Sequence, residues 1–190
     1  MSFEVVLDTC TLYPAHLRDT LLRLAERGFY RPLWTDDILK ELHRSLLTAN
    51  IPVESVDRLL VEMRSAFCDA KVEGYHSLID SMTCHPKDRH VLAAAVRSKA
   101  AAIITFNRAD FPAESTSPFD IEIIHPDIFL LDLLDLAPST VLHELHRQAA
   151  ANRWTPTTLQ ELCDALAKAG VPEFAAEVAL RRHSLYTNPE

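Results

Sequence analysis

Residues 85–112 read HPKDRHVLAAAVRSKAAAIITFNRADFP. Pro86 suits the first turn of a helix, where its missing N–H leaves no bond unmade. The alanine-rich run behind it is a strong helix former with a small, closely packing surface. Residues 101–106 (AAIITF) then form a continuous apolar run of strand length, the pattern of a strand buried on both faces. An acid, Asp110, follows in the next loop.

Two further stretches fit the same scheme. Residues 3–7 (FEVVL) are apolar apart from Glu4 and end in Asp8, and residues 120–124 (DIEII) make a short third strand. Helices are predicted over 14–28, 34–49 and 53–72. Gly28 stops the first, and Thr35 caps the second with Asp36 and Asp37 in its first turn. Strands alternating with helices predict an α/β fold around a parallel sheet. From Pro126 the pattern is helical only, over 128–136, 138–151, 156–169 and a last helix from Pro172.

Composition narrows the function. Hydrophobic residues make up 48% of the 190-residue chain and charged residues 24%, enough for an ordinary core. No apolar run reaches bilayer length, and MSFEVVLDTC lacks the features of a signal peptide, so a cytoplasmic, membrane-free protein is expected. Cysteines at 10, 68, 84 and 163 form no CxxC pair, which argues for free thiols. Three scattered glycines cannot build a phosphate-cradling loop. A net charge of −8 disfavours a generic nucleic-acid coat but suits a site that gathers acids around a cation.

Four acids are candidates for such a site. Asp8 and Asp110 each follow a strand, and ligands of open α/β sheets collect at the carboxyl ends of strands. Glu41 lies at the edge of the apolar arc made by Trp34, Ile38, Leu39, Leu42 and Leu46. Asp88 shares a helix face with Val91, Leu92 and Ala95, where an unpartnered carboxylate is costly and a cation would relieve it. Hard divalent ions take such oxygen ligands. Each acid also has a plainer reading: Asp88 as a first-turn acid, Glu41 paired with Lys40 or Arg44, Asp110 as a turn former, Asp8 as a cap. His85 and His90 bracket Asp88; His90 could orient a phosphate or a carboxylate, but a surface histidine is the simpler reading. VLHELH places His143 and His146 three apart, not the four of a zinc-protease motif. Asp37, one turn before Glu41, is explained by the helix dipole.

The strings VVLDTCTLYP, LWTDDILKEL and HPKDRHVLAAAVRSKAAAIITFNRADFP, in that order, resemble the PIN-domain family, and particularly the VapC-type ribonuclease toxins of toxin–antitoxin pairs. The resemblance spans roughly residues 3–130. It implies a three-layer α/β/α fold, Mg²⁺- or Mn²⁺-dependent cleavage of RNA, and an antitoxin protein that binds and inhibits; a homodimer is left open. Carried over by position, the metal-holding and catalytic set is Asp8, Glu41, Asp88 and Asp110, with Thr9 and Thr105 as supporting hydroxyls. Some members carry an acid where this chain has Asn107, so the last position rests between Asn107 and Asp110. Lys87 and Arg108 are candidates for RNA phosphate contacts. The division implied is a nuclease domain over 1–130 and a helical extension over 131–190. The competing readings are a non-catalytic RNA- or protein-binding module, and a nuclease or phosphatase acting on another phosphoester.

Overall fold

A computed structural model describes residues 3–181 of the chain. In chain order it contains β1 (Glu4–Leu7), α1 (Thr9–Leu12), α2 (Ala15–Glu26), β2 (Arg31–Leu33), α3 (Asp36–Thr48), α4 (Val53–Ala66), α5 (Arg89–Ser98), β3 (Ala102–Ile104), α6 (Ala113–Thr116), β4 (Glu122–Ile124), α7 (Pro126–Leu136), α8 (Pro138–Ala151), α9 (Leu159–Lys168) and α10 (Pro172–Arg181). None of these helices is long and apolar enough to cross a membrane. The contacts define two units. One is the chain through Tyr13 together with Tyr30–His125; the other is Pro14–Phe29 together with the chain from Pro126 onward. Helix α2 therefore groups with the late helices, although it lies early in the sequence.

The first unit is α/β. Its four strands run parallel in the order β2-β1-β3-β4. Val5, Val6 and Leu7 of β1 and Ala102, Ile103 and Ile104 of β3 are all fully buried. Successive strand residues point to opposite faces, so both faces of these two central strands are covered. Helix α5 packs against β1 and β3, and its run Val91, Leu92, Ala93, Ala94 and Ala95 is inaccessible to solvent.

Helix α4 stops at Ala66, short of the predicted end at residue 72. The apolar periodicity continues because Phe67 packs edge-on to Trp34 at 5.7 Å, while the backbone turns so that Lys71 can bridge Trp34 beside β2. Residues 86–88 form a single 3₁₀ turn before α5 begins. The helix expected from residue 156 begins at Leu159, because Thr158 and Glu161 form a reciprocal capping box there.

The second unit is all helix. Gln148 is fully buried; it accepts from Thr20 Oγ1 at 2.7 Å and donates to the His16 carbonyl at 3.0 Å, which ties α8 to α2. Asp127 on α7 caps α10, its carboxylate accepting from the Glu173 and Phe174 amides at 3.1 and 2.7 Å. Those amides are among the donors a helix N-terminus leaves unpaired. Asp127→Ala should cost about 1–2 kcal/mol of stability, read by denaturant melts. A loss within a few tenths would mean that water replaces the cap.

Candidate active site and metal centre

Strand order decides where the site lies. The chain leaves β1 for β2 on one side and later returns to β3 on the other, so the carboxyl ends of β1 and β3 border the crevice where ligands of such sheets gather. Leu7 pairs with Ile104, which sets Asp8 beside Thr105. Asp8 is 3% exposed. Its carboxylate accepts from the Thr9 amide at 2.6 Å, Thr105 Oγ1 at 2.7 Å and Cys10 Sγ at 3.1 Å. Burial, and then the charge of Asp8, push the Cys10 thiol up to about 11. It stays a neutral donor, a role that spacing alone did not reveal.

Asp88 ends the 3₁₀ turn ahead of α5. Burial raises its pKa above the ordinary carboxylate value, and the charges of Asp8 and Asp110 raise it further, against an opposing effect of His85. The His85 amide donates to the Asp110 carbonyl at 2.9 Å, which pins the loop after β3 to the turn that carries Asp88. Ligand atoms of His85, Asp88 and Asp110 all lie within 4.8 Å of one another. Among the described residues, no lysine or arginine forms an ion pair with Asp8, Asp88 or Asp110; His85 lies 3.3 Å from Asp88.

Glu41 projects from α3. Its Oε2 accepts from Thr9 Oγ1 at 3.0 Å, and its Oε1 lies 3.2 Å from His90 Nε2. Lys40 pairs with Asp37 instead, at 3.2 Å. The His90 hydrogen bond holds the Glu41 carboxyl below its usual range in spite of partial burial. His90 is 12% exposed, not the surface histidine expected from sequence, and its Nδ1 is buried without a partner among the described residues. Burial lowers its pKa, but the bond and charge of Glu41, with Asp37 and Asp8 behind it, raise it on balance.

These shifts fix a pH window. The raised His90 adds stability that is complete below its unfolded value of 6.5 and fades as pH rises through the folded value. The lowered Glu41 adds stability that is complete above 4.5 and fades as pH falls through its folded value. In metal-free protein, the advantage of wild type over His90→Gln should therefore be greatest between these limits. Because Glu41 is 40% exposed, solvent screening holds that advantage to about 1 kcal/mol. Urea melts across pH check this; a difference that does not vary with pH would contradict it.

A cavity of about 520 Å³ is lined by Asp8, Thr9, Glu41, Arg44, Asp88 and Asn107, among others. Asn107 is exposed, and its backbone N–H donates to Thr105 Oγ1 at 3.0 Å. Asp110 belongs to the neighbouring cluster with His85 and Asp88. Clustered carboxylates that no lysine or arginine pairs with have the chemistry of a hard divalent cation's donor set. Lys87 and Arg108 are fully on the surface. In the helical unit, His143 is exposed and His146 half-buried.

The PIN domain family model matches residues 4–109, and the model of the VapC50 C-terminal domain matches residues 126–180. A Mycobacterium tuberculosis (strain ATCC 25618 / H37Rv) protein named "Putative ribonuclease VapC50" is 45% identical over 104 residues, 55% of this chain. That stretch spans 61% of the relative's own length. No solved structure matched the chain. With the family model covering more than half of its residues, the chain belongs to the PIN domain family.

Proposed function

We propose that the protein is a metal-dependent endoribonuclease, the toxin of a toxin–antitoxin pair, working in the cytoplasm with a cognate antitoxin as inhibitor. The observation that carries this is the set of carboxylates without lysine or arginine partners: Asp8 and Asp110, in the segments that follow β1 and β3, and Asp88, whose carboxyl feels the charge of both from the turn ahead of α5. The name of the M. tuberculosis relative supports RNA as substrate.

Asp8, Asp88 and Asp110 would hold Mg²⁺ or Mn²⁺, with Glu41 on the cavity that Asp8 and Asp88 line. When bound, such an ion polarises a phosphate and supplies a hydroxide nucleophile near neutral pH. Thr105 and Thr9 fix the orientations of Asp8 and Glu41 through their hydroxyls. His90 holds Glu41 from the other side and keeps it ionised. Arg44 lines the cavity and can meet a phosphate there. Lys87 and Arg108, on the turns that carry Asp88 and Asp110, extend the contact to neighbouring phosphates in a salt-sensitive way.

Purified protein freed of any partner should cut single-stranded RNA with Mg²⁺ or Mn²⁺, and exhaustive chelation should abolish the cleavage. Parallel assays use DNA and a small phosphoester. Preference for either of these would replace the ribonuclease reading, and cleavage that survives chelation would remove the metal from it.

A further inference from the structure

We infer that His85 is a nitrogen ligand of the metal centre, joining Asp88 and Asp110 in a mixed imidazole–carboxylate set that favours Mn²⁺ and later first-row divalent ions over Mg²⁺. The inference rests on the metal-dependent reading above and adds a residue and a selectivity to it.

Three features bring the ring into place. His85 is extended, at φ −52° and ψ 134°, the conformation that a following proline enforces. Its amide is fastened to the Asp110 carbonyl at 2.9 Å, so ring and Asp110 are held by one backbone bond. The 3₁₀ turn Pro86–Asp88 then folds Asp88 back over the ring, and Nδ1 comes to lie 3.3 Å from Asp88 Oδ2.

Nδ1 also lies 3.4 Å from the Lys87 amide, a contact long enough to be weak. Nδ1 and Asp88 Oδ2 are 3.3 Å apart. Donors on one small cation, with bonds of about 2.0–2.1 Å, sit about 3 Å apart, so the pair is already near ligand spacing. Asp110 adds a third ligand atom within 4.8 Å. His90 differs: its Nε2 is committed to Glu41 at 3.2 Å. His85 is also 46% exposed, so its ring can turn toward an ion at little cost.

The selectivity follows from ligand softness. An all-oxygen set suits Mg²⁺, whereas imidazole raises affinity along the first-row transition series. Mg²⁺ gains little from exchanging a water for a nitrogen.

The test uses full-length protein, chelated and then reloaded with Mn²⁺. Pulsed electron paramagnetic resonance of the bound Mn²⁺ should show coupling to ¹⁴N in wild type and in His90→Gln, and no coupling in His85→Gln. Titration calorimetry should show Mn²⁺ binding weakened about 10–100-fold in His85→Gln, with a smaller loss for Mg²⁺. His85→Asp should restore cation binding without ¹⁴N coupling and shift preference toward Mg²⁺. Absence of the ¹⁴N signal in wild type, or its persistence in His85→Gln, overturns the assignment. If Mn²⁺ binds and RNA is cleaved without a nitrogen signal, His85 alone is excluded and the ribonuclease reading stands. If wild type binds no Mn²⁺, both fall together.

Discussion

Replacing Asp88 with asparagine is expected to lower metal-dependent RNA cleavage by at least about 100-fold and to leave the metal-free protein as stable as wild type or more so. The amide keeps the shape of the side chain and removes its charge. Asp88 is half-buried, and its burial, then the charges of Asp8 and Asp110, push its pKa upward. The folded state thus holds a proton that the unfolded chain releases at the ordinary value of 3.8. As pH rises from there through the folded pKa, ionisation works against the fold, and wild type loses stability that the asparagine variant keeps. Divalent metal should reverse the order, because an ion that binds only the native state stabilises wild type by mass action. Melts with and without Mn²⁺, beside cleavage assays, read both effects. An Asp88→Asn protein that is unfolded without metal would make this acid structural.

The second large effect separates Asp110 from Asn107. Asp110→Ala should weaken Mn²⁺ binding on the order of 10–100-fold, whereas Asn107→Ala should act mildly. The Asp110 carboxylate lies in the cluster with Asp88 and His85, and its charge reaches Asp88. Asn107 is an exposed residue on the cavity wall. It can position a bound molecule but cannot neutralise a cation. Calorimetry on the two variants decides between them. Binding that disappears in Asn107→Ala and survives in Asp110→Ala would make the asparagine the fourth position and Asp110 a turn residue.

Much of the first unit could be read from local pattern. The runs VVL and AII contain apolar residues too closely spaced for a one-sided helix, and both are fully buried in β1 and β3. Asp8 was visible because it ends such a run. Asp88 stood out because it precedes VLAAA, where a solvated acid has no place. For His90 a carboxylate-orienting role could be weighed but not chosen: its partner Glu41 is 49 residues earlier, and only the fold brings them to 3.2 Å. Cys10 read as a plain thiol because nothing in TCT reports its bond to Asp8. The association of α2 with α8 was equally out of reach. It depends on Gln148 meeting Thr20 across 128 residues, and each helix alone shows only an ordinary amphipathic period.

The site's nature is tested most directly by growing crystals in Mn²⁺ and measuring anomalous diffraction at the manganese edge. The account predicts a strong peak within bonding distance of carboxylate oxygens from Asp8, Asp88 and Asp110, absent from crystals of Asp88→Asn. A well-ordered site without a peak, or a peak only elsewhere on the protein, would contradict it.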